Sequence, residues 1–427
     1  MTKKRQLDSL EDQLREERRL AAAMRRRRRK RWLVPLLLVG IVIIVVILLI
    51  TQHSPAKESP VSGTEQAADS VATLVFAGDI SVDQQMLANL AGKNGFDFTG
   101  CFSSLTRTVA AADLAIVNIE GNFCGAPYGS TNASYPETLL DALKFCGFDV
   151  IQTANSYSIE NGISGLISTK HAIEEAGMIA LGTFESEEER METGGILIYE
   201  VNGIRIALIG LTKGTNGLRL PDGKEYCVNL LFEDYDTNYS KIDRSGISEL
   251  LDNAKSCSPD VIICCVHWGS EFTSEVTDMQ RSLAEYLFDS GVDVIVGSHS
   301  HLVGPIEGSV APVVIGTKDA GLVAYSLGDL LSSSDREATH AGCMLCVSFS
   351  KTGDVTTLTD VCYIPTYSAY PAEDNGVAKY QVFDVLDAMR LFEGSYYDRI
   401  DPALYEILKT IPEILQERTA SELQINK

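Results

Sequence analysis

The chain has 427 residues, with 36 Lys+Arg against 58 Asp+Glu and a formal net charge of −22 at pH 7. The charge is split: residues 1–32 hold 13 Lys+Arg and 5 Asp+Glu, which leaves 36−13 = 23 basic against 58−5 = 53 acidic residues for the rest. So acidic a body excludes nucleic acid as its partner, because that binding rests on Lys and Arg neutralising phosphates.

The first 32 residues read as a basic cytoplasmic segment, its basic run Arg25 to Arg31 abutting the apolar stretch 33–50. That stretch has 18 residues and no charge, just enough to cross a hydrocarbon core of roughly 30 Å. Flanking positive charge stays on the cytoplasmic side. A cleaved signal peptide is the competing reading, but the basic region is long and no Ala-x-Ala site follows. The expectation is a single-pass cell-membrane protein with its N-terminus cytoplasmic, a flexible Ser/Pro/Ala-rich stalk over 51–70, and the main domain outside. All ten cysteines lie beyond the span. Cys264 and Cys265 sit inside an apolar run, and Cys343 and Cys346 would face opposite sides of a strand, so the reading is of buried thiols rather than a zinc or redox motif.

From Val71 the chain alternates short apolar runs with amphipathic segments, the pattern of an α/β domain. Strands are expected at Thr73–Ala77, Leu114–Val117, Val150–Thr153, Ile204–Ile209, Val261–Val266, Val292–Val296 and Val323–Tyr325. Helices are expected at Glu137–Cys146, Ile163–Ala176, Ile247–Ala254 and Met279–Ser290, with Gly147, Gly177 and Gly291 placed to stop three of them. Residues 71–370 form one domain in this reading, and 371–427 a peripheral helical appendage interrupted by Pro402 and Pro412.

In open α/β sheets ligands bind beyond the carboxyl ends of the strands, so the polar residues there carry the functional signal. Gly78-Asp79 ends the first strand and Asn118-Ile119-Glu120 the second, with Asn118 and Glu120 on one face. Asn155-Ser156-Tyr157 and Glu160 follow the third. Two later runs end in His267 and in Gly297-Ser298-His299-Ser300-His301, and Asp329 closes the series. Only six histidines exist in the chain, and three of them fall at two strand ends. Asp79, Glu120, His267, His299 and His301 offer the mixed N/O donors that suit Zn, Mn or Fe. No Gly-x-x-x-x-Gly-Lys-Ser/Thr loop is present, which argues against nucleotide binding.

The ordered motifs Gly78-Asp79, Asn118-Ile119-Glu120-Gly121, Ala154-Asn155-Ser156-Tyr157 with Glu160-Asn161-Gly162, Val266-His267-Trp268-Gly269, Gly297 to His301 with Pro305-Ile306-Glu307, and Tyr325-Ser326-Leu327-Gly328-Asp329 resemble the bacterial capsule-synthesis CapA family. The likeness runs from Leu74 to Thr366, where Tyr363-Ile364-Pro365-Thr366 extends it. It implies a layered α/β sandwich of the metallophosphoesterase-like type with divalent metal at the strand ends; the apolar stretch 33–50 places one transmembrane helix before it.

The resemblance further implies Asp79, Glu120, His267, His299 and His301 as metal ligands, and Asn155, Tyr157 and His267 as catalytic candidates. Asn118, Ser156, Glu160, Ser298, Glu307 and Asp329 would line the rest of the cleft. It implies work on an extracellular anionic polymer such as poly-γ-glutamate, beside capsule synthase or export proteins. Three departures matter. The family's usual Asn-Asn-His is here Asn155-Ser156-Tyr157, its histidine after the glycine is Ser298, and its final Asn is Asp329. A phenol with an ordinary pKa near 10 transfers protons poorly at neutral pH. Three outcomes stay open: a capsule-polymer protein with a metal cleft, a cell-surface metal-dependent phosphoesterase, or a catalytically decayed scaffold of a capsule-assembly complex.

Overall fold

The computed structural model describes residues 70–93, 95–129, 133–308, 312–317, 320–371, 379–394, 400–419 and 424–425. The basic segment, the apolar stretch 33–50 and the stalk up to residue 69 lie outside the described residues. No described helix is long and apolar enough to cross a membrane.

In chain order the elements that build the site are β1 (Ser70–Ile80), β2 (Leu114–Ile119), α1 (Thr138–Cys146), β3 (Val150–Gln152), α2 (Gly162–Glu175), β4 (Ile179–Leu181), β5 (Leu197–Val201), β6 (Ile204–Thr212), α3 (Arg244–Ser256), β7 (Val261–His267), α4 (Asp278–Asp289), β8 (Val294–Ser298), β9 (Ile306–Gly308), β10 (Leu322–Ala324) and β11 (Asp329–Leu331). A long hairpin follows, β12 (Ala341–Thr352) and β13 (Val355–Ala369), then β14 (Gln381–Asp384), α5 (Val385–Glu393), α6 (Pro402–Leu408) and α7 (Ile411–Thr419).

The expected helices form, and the three glycines take positive φ at or just past their ends, at 115°, 77° and 93° for Gly147, Gly177 and Gly291. The strands run longer than their apolar cores. Asp79, Asn118 and His267 are still in the hydrogen-bonded ladders, paired with Asp329 and Asn118, with Gln152, and with Ser298. Hydropathy cannot see these last residues because they are polar.

The first sheet has the order β13–β12–β1–β2–β3–β4, with β11 beside the end of β1 and β14 beside β13. Strands β1 to β4 are parallel, and β12 and β13 run antiparallel. The second sheet has the order β9–β10–β8–β7–β6–β5, parallel except at its two edges.

Alternation along the strands assigns the layers. Leu74, Phe76, Leu114 and Ile116 of the first sheet share one buried cluster with Ile206, Leu208, Ile263, Cys265, Val294 and Val296 of the second. Their neighbours Val75, Ala115 and Val117 instead meet Leu139, Leu143 and Ile173 of α1 and α2. On the far side Ile209, Cys264 and Ile295 meet Leu250, Leu251, Leu283 and Leu287 of α3 and α4. The result is a four-layer α/β/β/α sandwich whose parallel strands deliver their carboxyl ends to one side.

Two readings need correction. The segment after residue 370 is helical in part but not peripheral. Strand β14 extends the main sheet, and Val385, Ala388, Leu404, Leu408, Ile411 and Leu415 enter the central cluster. Pro402 and Pro412 do not interrupt a helix. They sit in the first turns of α6 and α7, where a missing N–H costs nothing and φ is already set. The β12–β13 hairpin was the largest omission. Cys343 faces the central cluster and Cys346 the outer one, so the half of the hairpin nearest the cleft is buried on both sides, and only its distal half, Val347-Ser348-Phe349-Ser350 and Thr357-Leu358-Thr359, alternates. Eight of the ten cysteines are buried and all ten are free thiols, Cys124 being exposed and Cys257 half-buried.

Candidate metal centre at the strand ends

The cleft starts from a backbone irregularity. The β1–β2 register shifts between Phe76 and Asp79, and such a bulge re-aims the following side chain. Gly78 permits it: a Cβ there would lie 1.9 Å from the Gly328 carbonyl oxygen. The Asp79 N–H donates to that same carbonyl at 2.9 Å. Asp79 then accepts from Asn118 Nδ2 at 2.8 Å and from the His299 backbone N–H at 2.9 Å, so one carboxylate ties β1, β2 and the loop after β8 together.

Asn155 completes this framework. Its Nδ2 donates to Asn118 Oδ1 at 3.1 Å and to Ile119 O at 2.7 Å, while its Oδ1 accepts from the Tyr157 N–H at 2.9 Å. With both donors spent, Asn155 acts here as a positioning residue.

His267 is fully buried. Its Nδ1 pairs with Ser298 Oγ at 3.0 Å and its Nε2 with Ser156 Oγ at 3.1 Å, 3.6 Å from Glu120 Oε1. The His267 and His299 rings stand 4.5 Å apart. His301 presents Nε2 to Glu120 Oε2 at 3.6 Å, and its Nδ1 pairs with Asp329 Oδ1 at 2.8 Å. Both His299 and His301 have positive φ, 93° and 59°, a conformation that costs about 1–3 kcal/mol each in a non-glycine residue. Strain of this kind marks positions that the surroundings over-determine.

Ligand atoms of Glu120, His267 and His299 lie within 4.8 Å of one another, as do those of Asp79, Glu120 and His301. Glu120 belongs to both groups. Two buried polar atoms in them, Glu120 Oε1 and His299 Nε2, have no hydrogen-bond partner among the described residues. An orphaned buried carboxylate oxygen beside an orphaned imidazole nitrogen is costly unless something charged is held between them. Both orphans belong to the first group, whose residues therefore fit a divalent cation; Asp79, Glu120 and His301 offer a second set of ligand atoms by their spacing.

The electrostatics agree. Burial pushes the Glu120 carboxyl well above its ordinary range, with Asp79 and Asp329 adding to the rise against His301. Burial likewise pushes Asp79 up to about 6. His299 is held down to about 2 by burial, then by Lys213 and His301, and His267 is lowered in the same way. His301 goes the other way. Burial opposes its charge, but Glu120, Asp329 and Asp79 push it up to about 11. Neutral His267 and His299 are already in the state a metal ligand needs.

Of the residues expected in the cleft, Asp79, Asn118, Glu120, Asn155, Ser156, His267, Ser298, His299, His301 and Asp329 come together. Tyr157 is half-buried at the rim, and burial followed by Glu120, Glu271 and Glu160 pushes its phenol up, so it keeps its proton. Glu160 is exposed beyond it. Glu307 is a correction: on β9, at the sheet edge, it pairs with Arg281 of α4 at 3.0–3.1 Å rather than entering the cluster. Three residues were not anticipated. Phe272 stacks on His301 at 5.1 Å, Arg336 lies over Phe272 at 4.1 Å, and Lys213 acts electrostatically on His267 and His299. Lys213 directly follows β6 and could have been found as a strand-end residue. Phe272 and Arg336 lie in loops with no such signal.

Asp329 supports His301 as second-layer carboxylates support metal-bound histidines, fixing the ring and leaving Nε2 free. Asp329→Ala is expected to weaken metal binding about 10–100-fold, measured by competition with a chelating dye. Asp329→Asn, which keeps an acceptor for Nδ1–H, is expected to lose less.

The fold and cluster define a four-layer α/β protein with a buried N/O ligand set at its strand ends. Residues 73–334 match the family described as bacterial capsule synthesis protein PGA_cap, and the chain belongs to that family. It is 26% identical over 321 residues to the PGA biosynthesis protein CapA of Bacillus subtilis (strain 168), covering 71% of this chain and 74% of that one. It is 25% identical over 198 residues to the capsule biosynthesis protein CapA of Bacillus anthracis, covering 46% and 43%. Among solved structures, the calcineurin-like phosphoesterase YfkN from Bacillus subtilis is similar at a TM-score of 0.41 and 13% identity, covering 70% of this chain and 91% of that one.

Proposed function

We propose that the protein is a membrane-anchored component of capsule-polymer production. Its cleft holds divalent metal on Asp79, Glu120, His267, His299 and His301 and meets an anionic polymer such as poly-γ-glutamate at the cell surface. The observation that carries the reading is the pair of buried ligand groups joined by Glu120, with Glu120 Oε1 and His299 Nε2 left without partners. Membership of the capsule-synthesis family supports the polymer. The uncharged stretch 33–50 behind a basic segment supports the anchor and an external domain. Capsule synthase or export proteins are the partners this placement implies. A relation to calcineurin-like metallophosphoesterases is part of the same proposal and rests on the strand-end motifs.

Bound metal would polarise an electrophilic centre and lower the pKa of a water. The chain's own residues do the rest. Asn118 and the His299 N–H aim Asp79, Asp329 aims His301, and Asn155 holds the ends of β2 and β3 together. Tyr157, its phenol pushed up by burial and then by Glu120, keeps its proton.

A second reading, a decayed scaffold, is favoured by one contact: Ser156 Oγ sits on His267 Nε2, the atom a metal would need. The full-length protein incubated with poly-γ-glutamate, with Mn²⁺ or with chelator, separates the two. The first reading expects metal-dependent capture or shortening of the polymer, read by gel filtration with light scattering. Unchanged chain length and no capture under both conditions would remove it. Under the scaffold reading, hydrolysis appears only after Ser156→Asn and Tyr157→His are introduced.

A further inference from the structure

Two cations stand at the mouth of the cleft that the ligand chemistry does not use. Lys213 follows β6, and its backbone N–H donates to His267 O at 2.8 Å. Its Nζ donates to Gly269 O at 2.9 Å and lies 5.1 Å over the Tyr239 ring. Of three ammonium donors one is spent on a carbonyl. The ammonium lies within electrostatic reach of Glu120 and Glu271 on one side and of His267 and His299 on the other.

Arg336 stands on the His301 side. Its guanidinium carbon is 4.1 Å over the ring of Phe272, and that ring stacks on His301 with centroids 5.1 Å apart and planes 23° from parallel. Phe272 is 38% exposed and has φ 58°, with its N–H donating to Ser300 O at 2.8 Å. A large side chain in the left-handed region is uncommon, and here it fixes an aromatic platform over a ligand histidine. Stacking occupies the face of the guanidinium and leaves its edge of N–H donors free, the edge that meets carboxylate or phosphate in a bidentate way.

Among the described residues neither Lys213 nor Arg336 is ion-paired with a carboxylate, although acidic residues outnumber basic ones 53 to 23 beyond residue 32. Lys213 thus stands beside Glu120, His267 and His299, and Arg336 lies over Phe272, the ring that stacks on His301.

We propose that Lys213 and Arg336 form an anion-recognition pair flanking the ligand cluster, which takes carboxylate or phosphate oxygens of the substrate beside the group held at Glu120. The proposal rests on the reading of the cleft as the site that meets an anionic substrate. It also supplies the local positive charge that so acidic a body needs to receive a polyanion.

The test uses the full-length protein loaded with Mn²⁺, titrated calorimetrically with a poly-γ-glutamate oligomer and separately with inorganic phosphate. Lys213→Gln and Arg336→Gln are each expected to weaken binding about tenfold, the worth of one charge-assisted hydrogen bond, and to flatten its salt dependence. Metal content of both variants stays at the wild-type value. Arg336→Lys, which keeps charge but not the fork, recovers only part of the loss. The probe with the larger dependence tells carboxylate from phosphate as the natural source. A double variant that binds both probes with wild-type affinity overturns the anion pair and leaves the metal reading intact. Wild-type protein that carries its metal but binds neither probe overturns it as well. Oligomer binding that depends on both cations in a protein retaining no metal would uphold the pair and sink the metal reading instead.

Discussion

Glu120→Gln is expected to remove metal from both ligand groups at once. Glu120 is the one side chain common to them, and without it each group keeps two donors, Asp79 with His301 and His267 with His299. Losing an outer-layer support already costs about 10–100-fold in affinity, so losing a shared ligand should exceed about 100-fold by the same standard. Titration with Mn²⁺ or Zn²⁺ is expected to show two sites per chain in the wild type and none in the variant over the same concentrations. A variant that still binds two metals would contradict this account of Glu120.

Metal binding is expected to expel protons, and its affinity to climb with pH. In the metal-free cluster His301 is protonated, because Glu120, Asp329 and Asp79 outweigh burial and push it up to about 11. Ligation needs the Nε2 lone pair, so that proton must leave. A proton is therefore a product of binding, and raising the pH favours the bound state by about tenfold per unit for each proton released. This dependence extends towards pH 11, where His301 loses its proton unaided. Below about pH 6 Asp79 also holds a proton, since burial has raised it to that value, and the dependence steepens. Calorimetry at pH 7 in two buffers of different ionisation enthalpy reads the proton count directly. A heat of binding independent of buffer, with affinity flat between about pH 6.5 and 8.5, would contradict a cluster in which His301 and Glu120 hold a displaceable proton between them.

Much of the site was legible because these strands end abruptly. Val261–Val266 and Val292–Val296 are short runs rich in Val and Ile, broken by histidine or by Gly-Ser-His, and their length and β-branched content favour strand over helix. The layering could be inferred only through resemblance, since parity along β1 or β7 shows two buried faces without saying what covers each. What hydropathy missed has particular causes. Asp79 falls beyond the expected strand Thr73–Ala77 because the bulge that keeps it in the ladder depends on Gly78 meeting the Gly328 carbonyl, a contact 250 residues away in sequence. Glu307 was misplaced because its strand is a short antiparallel edge, where the polar face turns to α4 rather than to the cleft. Pro402 and Pro412 looked like breaks because a proline in the first turn and one deep inside a helix are alike until the start of the helix is known. Asp401, whose side chain accepts from the Ala403 N–H, was the missed signal. Phe272 and Arg336 meet only through the fold.

Elemental analysis of the purified full-length protein beside the His299→Ala/His301→Ala double variant tests the central claim most directly. The account expects divalent transition metal in the wild type, approaching two ions per chain because two ligand groups share Glu120, and none above background in the variant. Equal metal content in the two proteins would contradict it.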